Sequence, residues 1–144
     1  MSHKAPKIDA LLAGFPDLPG FDRNYVGFFR CFNAQLYYEA HDVLEEVWLP
    51  VRKTPESKFY KGLIQVAGGF VHLQKGRLGP ASRLFALALA NFEPYPARHD
   101  GIDLDKIREL CRTHRQAVID SGETINPWSK EKAPQLALPS VKIR

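Results

Sequence analysis

The stretch FNAQLYYEAHDVLEEVW, residues 32–48, predicts one tight turn followed by one amphipathic helix. Asn33 is a residue type that favours the turn. Apolar residues then recur at the spacing of one helix face, at Leu36, Ala40, Val43, Leu44 and Val47. The acids Glu39, Asp42, Glu45 and Glu46 cover the other side. This helix is therefore expected to bury one face and to end at Pro50.

Similar helical patterns lie on both sides of this stretch. We expect five helices, over residues 23–33, 36–49, 56–74, 81–92 and 103–120. Residues 32–48 also overlay residues 73–89 at a constant offset of 41 positions, so each half reads as helix, tight turn and helix. The sequence thus predicts an all-α fold, a compact antiparallel bundle of about five helices with two helix-turn-helix hairpins.

Proline and glycine separate the two ends of the chain from the helical core. Residues 1–22 are expected to form an irregular N-terminal arm, residues 23–120 the core, and residues 121–144 an extended tail docked by its few apolar side chains. A chain of 144 residues can bury a core of its own, so a single domain over 1–144 is expected.

Composition argues against several classes of protein. With 44% hydrophobic and 25% charged residues, the chain is typical of a soluble globular protein. The longest apolar stretch, residues 63–73, is too short to cross a bilayer, so no membrane partner is expected. The N-terminus lacks the apolar segment of a secretory signal, which predicts a cytoplasmic location. The net charge of +4 is scattered without a basic stripe, which disfavours nucleic acid, while homo-oligomerisation stays open.

Nucleophilic and redox chemistry find little support in the sequence. Cys31 and Cys111 have no partner at two-residue spacing, so neither a zinc knuckle nor a redox dithiol is encoded. Ser82, Ser121 and Ser129 lack the flanking glycines of a nucleophile elbow. The acids and histidines of the second and third helices are therefore the stronger candidates for chemistry.

Polar residues of these two helices form the candidate site. His41 and Glu45 lie one helical turn apart, a spacing at which an imidazole and a carboxylate can share a metal ion. His72 lies in the most apolar helix, where a titratable group is costly without a partner, and is the expected third ligand. It ends a polar stripe formed by Lys61, Gln65, Gly68 and His72. Two histidines and a carboxylate would leave a coordination position open for water, as a catalytic metal site requires.

A structural network is the alternative explanation of the same residues. In that alternative, His72 is a core histidine hydrogen-bonded to Glu39 or Asp42, and Lys61 pairs with another of these acids. Either way the second and third helices face each other.

Two glycines in the middle of the third helix need an explanation of their own. Gly68 and Gly69 should each cost on the order of 1 kcal/mol relative to alanine. Close approach of a neighbouring helix would offset that cost, and so would room for a ligand.

These motifs resemble a small prokaryotic and plastid family known as domain of unknown function 309. The resemblance covers about residues 25–96 and rests on the Phe32-Asn33 turn, the run EAHDVLEEVW at 39–48, the block YKGLIQ at 60–65, and His72-Leu73, Gly76, Ala81 and Leu84. The chain departs from the family pattern at three positions. Gln35 stands where glycine is frequent, Asp42 where glutamate is usual, and Arg77 where asparagine is common.

The resemblance implies a small helical array and a metal-dependent hydrolase that uses Glu39, His41, Asp42, Glu45 and His72. We therefore hypothesise a divalent-metal-dependent hydrolase, with Zn, Mn or Fe bound by His41, Glu45 and His72. Glu39 or Asp42 would orient a ligand histidine or take a proton from water.

The same hypothesis assigns the substrate side of the pocket. Lys61 or Gln65 would hold a polar or anionic group of a small molecule, and Tyr38 and Trp48 would wall the pocket. The alternative from another class is a non-catalytic helical scaffold or partner-binding module whose polar cluster is structural.

Overall fold

The computed structural model describes residues 5–141. Within them the chain forms six α-helices, α1 Ala5–Leu12, α2 Arg23–Asn33, α3 Tyr37–Trp48, α4 Ser57–Gln74, α5 Leu78–Phe92 and α6 Leu104–Asp120. A 3-10 turn, Leu49–Val51, links α3 to α4, and two short antiparallel strands, β1 Arg98–His99 and β2 Ile102–Asp103, precede α6. The predicted all-α bundle is confirmed. Residues 1–4 of the predicted arm and 142–144 of the predicted tail lie outside the described residues.

Helix α4 is the centre of the bundle. Its Phe70 ring is fully buried, and rings from four other helices surround it. The ring centroids lie 4.9 to 5.3 Å from that of Phe70, and the rings belong to Phe32 of α2, Tyr37 of α3, Phe85 of α5 and His114 of α6. Three of these contacts are edge-to-face and the Tyr37 ring is tilted by 30°, so the surrounding helices meet on one apolar centre.

The two helix-turn-helix hairpins share one turn geometry. Gln35 follows the C-cap of α2 in the first hairpin and has a φ of 63°. Gly76 follows the C-cap of α4 in the second hairpin and has a φ of 73°. In each turn the next residue donates its N–H at 2.8 Å to a carbonyl five residues earlier, Leu36 to Cys31 and Arg77 to His72. This is the Schellman closure of a helix C-terminus. Equivalent residues are 41 positions apart, as the sequence repeat predicted.

The N-terminal arm differs from its prediction, because residues Ala5–Leu12 form helix α1. Pro6 occupies the first turn of this helix. Proline is tolerated there because the N–H groups of the first turn have no intrahelical partner, so no hydrogen bond is lost. Ile8 and Leu12 are buried against the bundle. The arm was predicted to be irregular because proline was interpreted as a breaker rather than as a helix start.

A two-stranded hairpin between α5 and α6 was not predicted. Its turn is formed by Asp100 and Gly101, which have φ of 47° and 79°. Positive φ at both central residues is the hairpin turn that Asp-Gly favours. The Tyr25 hydroxyl donates to the Asp100 carbonyl at 2.8 Å, which ties the turn to α2.

The C-terminal tail is extended and docked, as predicted. Asn33 in the first hairpin donates through Nδ2 to the Leu136 carbonyl at 2.8 Å, and its Oδ1 accepts from the Leu136 N–H at 2.7 Å. Trp128 donates its indole N–H to the Tyr37 hydroxyl at 3.0 Å. The tail therefore crosses the turn between α2 and α3. No helix within residues 5–141 has both the length and the apolar character needed to cross a lipid bilayer.

Candidate functional site

Helices α3 and α4 run antiparallel, and two cation–π contacts fix their register. At one end the Lys61 ammonium lies 4.7 Å from the centroid of the Trp48 ring. At the other end the Lys75 ammonium lies 5.9 Å from the centroid of the Tyr38 ring. Both distances lie within about 6 Å, the usual limit for a cation–π contact. The two contacts lie at opposite ends of the α3–α4 pair, and the stretch between them holds the candidate site.

A cavity of about 340 Å³ lies in this stretch. Its lining comes from α3, from α4, from the turn after α4 and from α5, and consists of Tyr38, His41, Asp42, Gly68, Val71, His72, Lys75, Arg77 and Leu84. The volume is within the range of clefts that bind small molecules. His41 and His72, which the sequence placed on different helices, therefore line one pocket.

Three potential metal ligands meet on α3, and two of them, His41 and Asp42, line this pocket. One ligand atom each from His41, Asp42 and Glu45 lies within 4.8 Å of the others. His41 Nδ1 lies 3.3 Å from Asp42 Oδ1, and the two side chains are 34% and 13% exposed. With its proton on Nδ1, His41 donates to Asp42 and presents Nε2 as a lone pair. This arrangement of carboxylate and imidazole is how proteins commonly orient a metal-binding histidine.

His72 lies in the same pocket but is not one of these three residues. Its Nδ1 is enclosed and has no hydrogen-bond partner. Burial lowers the pKa of His72, and the positive charges of Arg77, Lys75 and Arg83 lower it further. An enclosed N–H without an acceptor costs about 1–3 kcal/mol, so the neutral ring keeps its proton on Nε2. In this form His72 can donate a hydrogen bond from Nε2 to a group in the pocket.

Five of the predicted site residues do not line the pocket, and one of them, Glu45, nevertheless belongs to the ligand group with His41 and Asp42. Lys61 and Trp48 pack on each other beyond one end of it. Gln65 accepts a hydrogen bond from Asn91 Nδ2 at 2.7 Å, which turns it toward α5. Glu39 lies near Cys31, where burial and the Glu39 charge together raise the pKa of the thiol to about 11.

Two basic residues of the pocket, Lys75 and Arg77, were not assigned from the sequence. Lys75 continues the polar stripe of α4 by one further step after His72, and this spacing could have identified it. Arg77 follows the turn at Gly76, and nothing in the local pattern aims it at α3. The pocket therefore has an acidic wall on α3 and a basic wall at the end of α4.

Gly68 and Gly69 have different roles. A Cβ at Gly69 would lie 2.5 Å from Cε1 of Phe85, so α5 approaches α4 too closely for any side chain there. A Cβ at Gly68 would meet only Leu84, at 3.1 Å from Cδ1. Gly69 thus serves helix packing, while Gly68 lines the cavity and keeps it open.

Comparison with known proteins agrees with the family expected from the motifs. Residues 25–84 match the model of a family described as Domain of unknown function (DUF309). An uncharacterized protein of Aquifex aeolicus (strain VF5) is 29% identical over 96 residues, which cover 67% of this chain and 28% of that protein. The uncharacterized protein YpuF of Bacillus subtilis (strain 168) is 25% identical over 111 residues, covering 75% of this chain and 62% of that protein. The chain thus spans less than two thirds of the length of either relative.

Proposed function

We propose that this chain, which carries a DUF309 domain over residues 25–84, is a divalent-metal-dependent hydrolase with its site in the pocket between α3 and α4. One observation carries the proposal. His41, Asp42 and Glu45 bring ligand atoms within 4.8 Å of one another, and His41 and Asp42 line a cavity large enough for a small molecule. Zn, Mn and Fe are the candidate ions, because a mixed imidazole and carboxylate set suits them.

The donor set fits such an ion. His41 and Glu45 would bind it, and Asp42 Oδ1 would hold the His41 ring through Nδ1, at the observed separation of 3.3 Å. The ion would supply Lewis acidity at the pocket wall. His72, assigned from the sequence as the third ligand, takes a different role in this proposal, because its enclosed Nδ1 lacks the acceptor that a metal-bound histidine usually has.

Asp42 and His72 would carry the remaining steps of hydrolysis. The oxygen of a water molecule would form the new bond to the substrate, the bond to the leaving group would break, and the water proton would pass to the Asp42 carboxylate. Asp42 is nearly buried, which keeps this carboxylate in a fixed position beside His41. His72 would donate from Nε2 to a substrate oxygen.

Metal analysis of the purified chain tests the proposal. We expect close to one bound divalent ion, and a lower thermal midpoint after chelation. An ion present at 100 times its dissociation constant stabilises the fold by about 2.7 kcal/mol. Glu45→Gln should lose the ion, whereas Glu109→Gln, an exposed change on α6, should retain it.

The opposite result would favour a non-catalytic role for the protein. A chain that binds none of the three ions, and whose midpoint is the same with and without chelator, would have a structural cluster at His41, Asp42 and Glu45. The non-catalytic scaffold or partner-binding module would then be the better description of the protein.

A further inference from the structure

We infer that the α3–α4 pocket binds its substrate through a phosphate group, held by Lys75, Arg77 and the Nε2–H of His72. The inference rests on the proposed function for the location of the site, and it adds the chemical class of the substrate. Phosphate is here a group of a small molecule, since the cavity measures about 340 Å³.

The two cations are placed for a ligand. Lys75 and Arg77 line the same cavity as His41 and Asp42. Among the described residues, no acidic side chain forms an ion pair with Lys75 or Arg77. The Lys75 ammonium lies over the Tyr38 ring, 5.9 Å from its centroid, so that part of its long side chain is held at the pocket wall.

His72 adds a directional donor to these charges. Its Nδ1 is enclosed without an acceptor, which places the proton of the neutral ring on Nε2. Burial, and then the nearby charges of Arg77 and Lys75, lower the pKa of His72, which favours the neutral ring. A neutral donor and two cations are a set that suits an anion with several oxygens.

Phosphate fits this pocket better than a carboxylate does. A phosphate monoester carries close to two negative charges at neutral pH and three acceptor oxygens, whereas a carboxylate carries one charge and two oxygens. One face of the phosphate would contact Arg77 and Lys75, while another faces His41 and Asp42 across the pocket. Divalent ions are commonly held in this way, between protein carboxylates and substrate phosphate.

A simpler role for the basic residues makes a different prediction. Lys75 follows the last residue of α4, where a cation also stabilises the helix through the helix dipole. If that were its whole role, removing the charge would lower stability and leave anion affinity unchanged. The test must therefore measure binding rather than stability.

The experiment is a titration of the full chain with inorganic phosphate in the presence of chelator. The titration is monitored by ¹H–¹⁵N correlation spectra. We expect saturable shifts at the amides of Gly68, Lys75, Gly76 and Arg77. Lys75→Gln and Arg77→Gln should each weaken binding roughly threefold, and the double variant roughly tenfold, as for exposed charge pairs. Lys58→Gln removes the same charge from the exposed start of α4 and should leave the affinity unchanged.

Other arms separate this inference from the proposed function. Acetate should shift the same amides at least roughly tenfold more weakly than phosphate; equal affinity would overturn the assignment to phosphate. His41→Ala should abolish metal binding while phosphate still binds in chelator, which would support the inference whether or not the chain is a hydrolase. Phosphate shifts that are absent, or that Lys58→Gln weakens as much as Lys75→Gln does, would overturn it.

Discussion

Gly68 and Gly69 are adjacent in α4, and replacing each with alanine provides a matched pair of variants. The chemical change is the same, a single methyl group in the interior of the same helix. The surroundings differ, because Gly68 faces the cavity and Gly69 faces α5. A difference between the two variants therefore reports the surroundings alone.

The expected magnitudes follow from the structure. Each alanine gains about 0.8–1 kcal/mol from helix propensity. At Gly69 the new Cβ would lie 2.5 Å from the fully buried Phe85 ring, and overpacking of this kind costs about 1–3 kcal/mol. At Gly68 the neighbour is Leu84 Cδ1 at 3.1 Å, which needs to move only a few tenths of an ångström. Since the propensity gain is common to both variants, they should differ by about 1–3 kcal/mol, with Gly68→Ala the more stable.

Urea unfolding followed by far-UV circular dichroism measures this difference directly. In a chain of this length, each kcal/mol corresponds to roughly 2–4 °C in the thermal midpoint, which provides a second measurement. Gly68→Ala should be at least as stable as the parent chain, yet it should bind the metal ion and phosphate less well, because its methyl group enters the cavity.

A Gly69→Ala chain as stable as Gly68→Ala would refute the reasoning. It would mean that Phe85 does not approach α4 closely, or that α5 shifts without cost. Unchanged ligand affinity in Gly68→Ala would show that Gly68 does not face the bound molecule.

Two further predictions concern the tail and a core histidine. Asn33→Ala removes two hydrogen bonds to Leu136, so the variant should lose about 2 kcal/mol of unfolding free energy. Trypsin should also cut its tail faster, which mass spectrometry measures. An unchanged cleavage rate would contradict the docking of the tail. Burial lowers the pKa of His114 in the folded chain. The neutral ring therefore contributes stability that is complete above the ordinary histidine pKa of about 6.5 and is lost as the pH falls below that value. Urea unfolding at several pH values should therefore show a shallower pH dependence in His114→Gln than in the parent chain, and an equal slope would count against this assignment.

Helix positions and the repeat could be predicted from the sequence because they depend on local spacing. The second predicted helix, residues 36–49, differs from Tyr37–Trp48 by one residue at each end. Gln35 illustrates the limit of this reasoning. Its place in the turn could be predicted, but its left-handed conformation could not. The φ of 63° is one that glycine adopts readily, which accounts for the frequent glycine at this position in the family pattern.

Two elements were missed although the sequence contains signals for them. Asp100-Gly101 is a recognised hairpin dipeptide, but the strands on either side of it have only two residues each, too few to show an alternating pattern. Pro6 was interpreted as a breaker, although the first turn of a helix accepts it.

The site was harder to predict than the fold, because side-chain direction depends on packing across helices. His41 and Asp42 are neighbours in sequence, and residues at that spacing do not usually face each other on a helix, yet their side chains approach within 3.3 Å. The roles of His72 and Arg77 depend on how the turn after α4 closes over α3. No local pattern encodes that geometry.

The position of Phe70 has a practical consequence for protein production. The family match ends at residue 84, one position before Phe85, and α6 with His114 lies wholly beyond it. A recombinant fragment cut at those limits would lack two of the rings that enclose Phe70, and it would lack Trp128 on Tyr37 as well. Such a fragment would expose an aromatic surface and aggregate during purification, so expression of related proteins should extend past the recognised boundaries to include the equivalents of α6 and the tail.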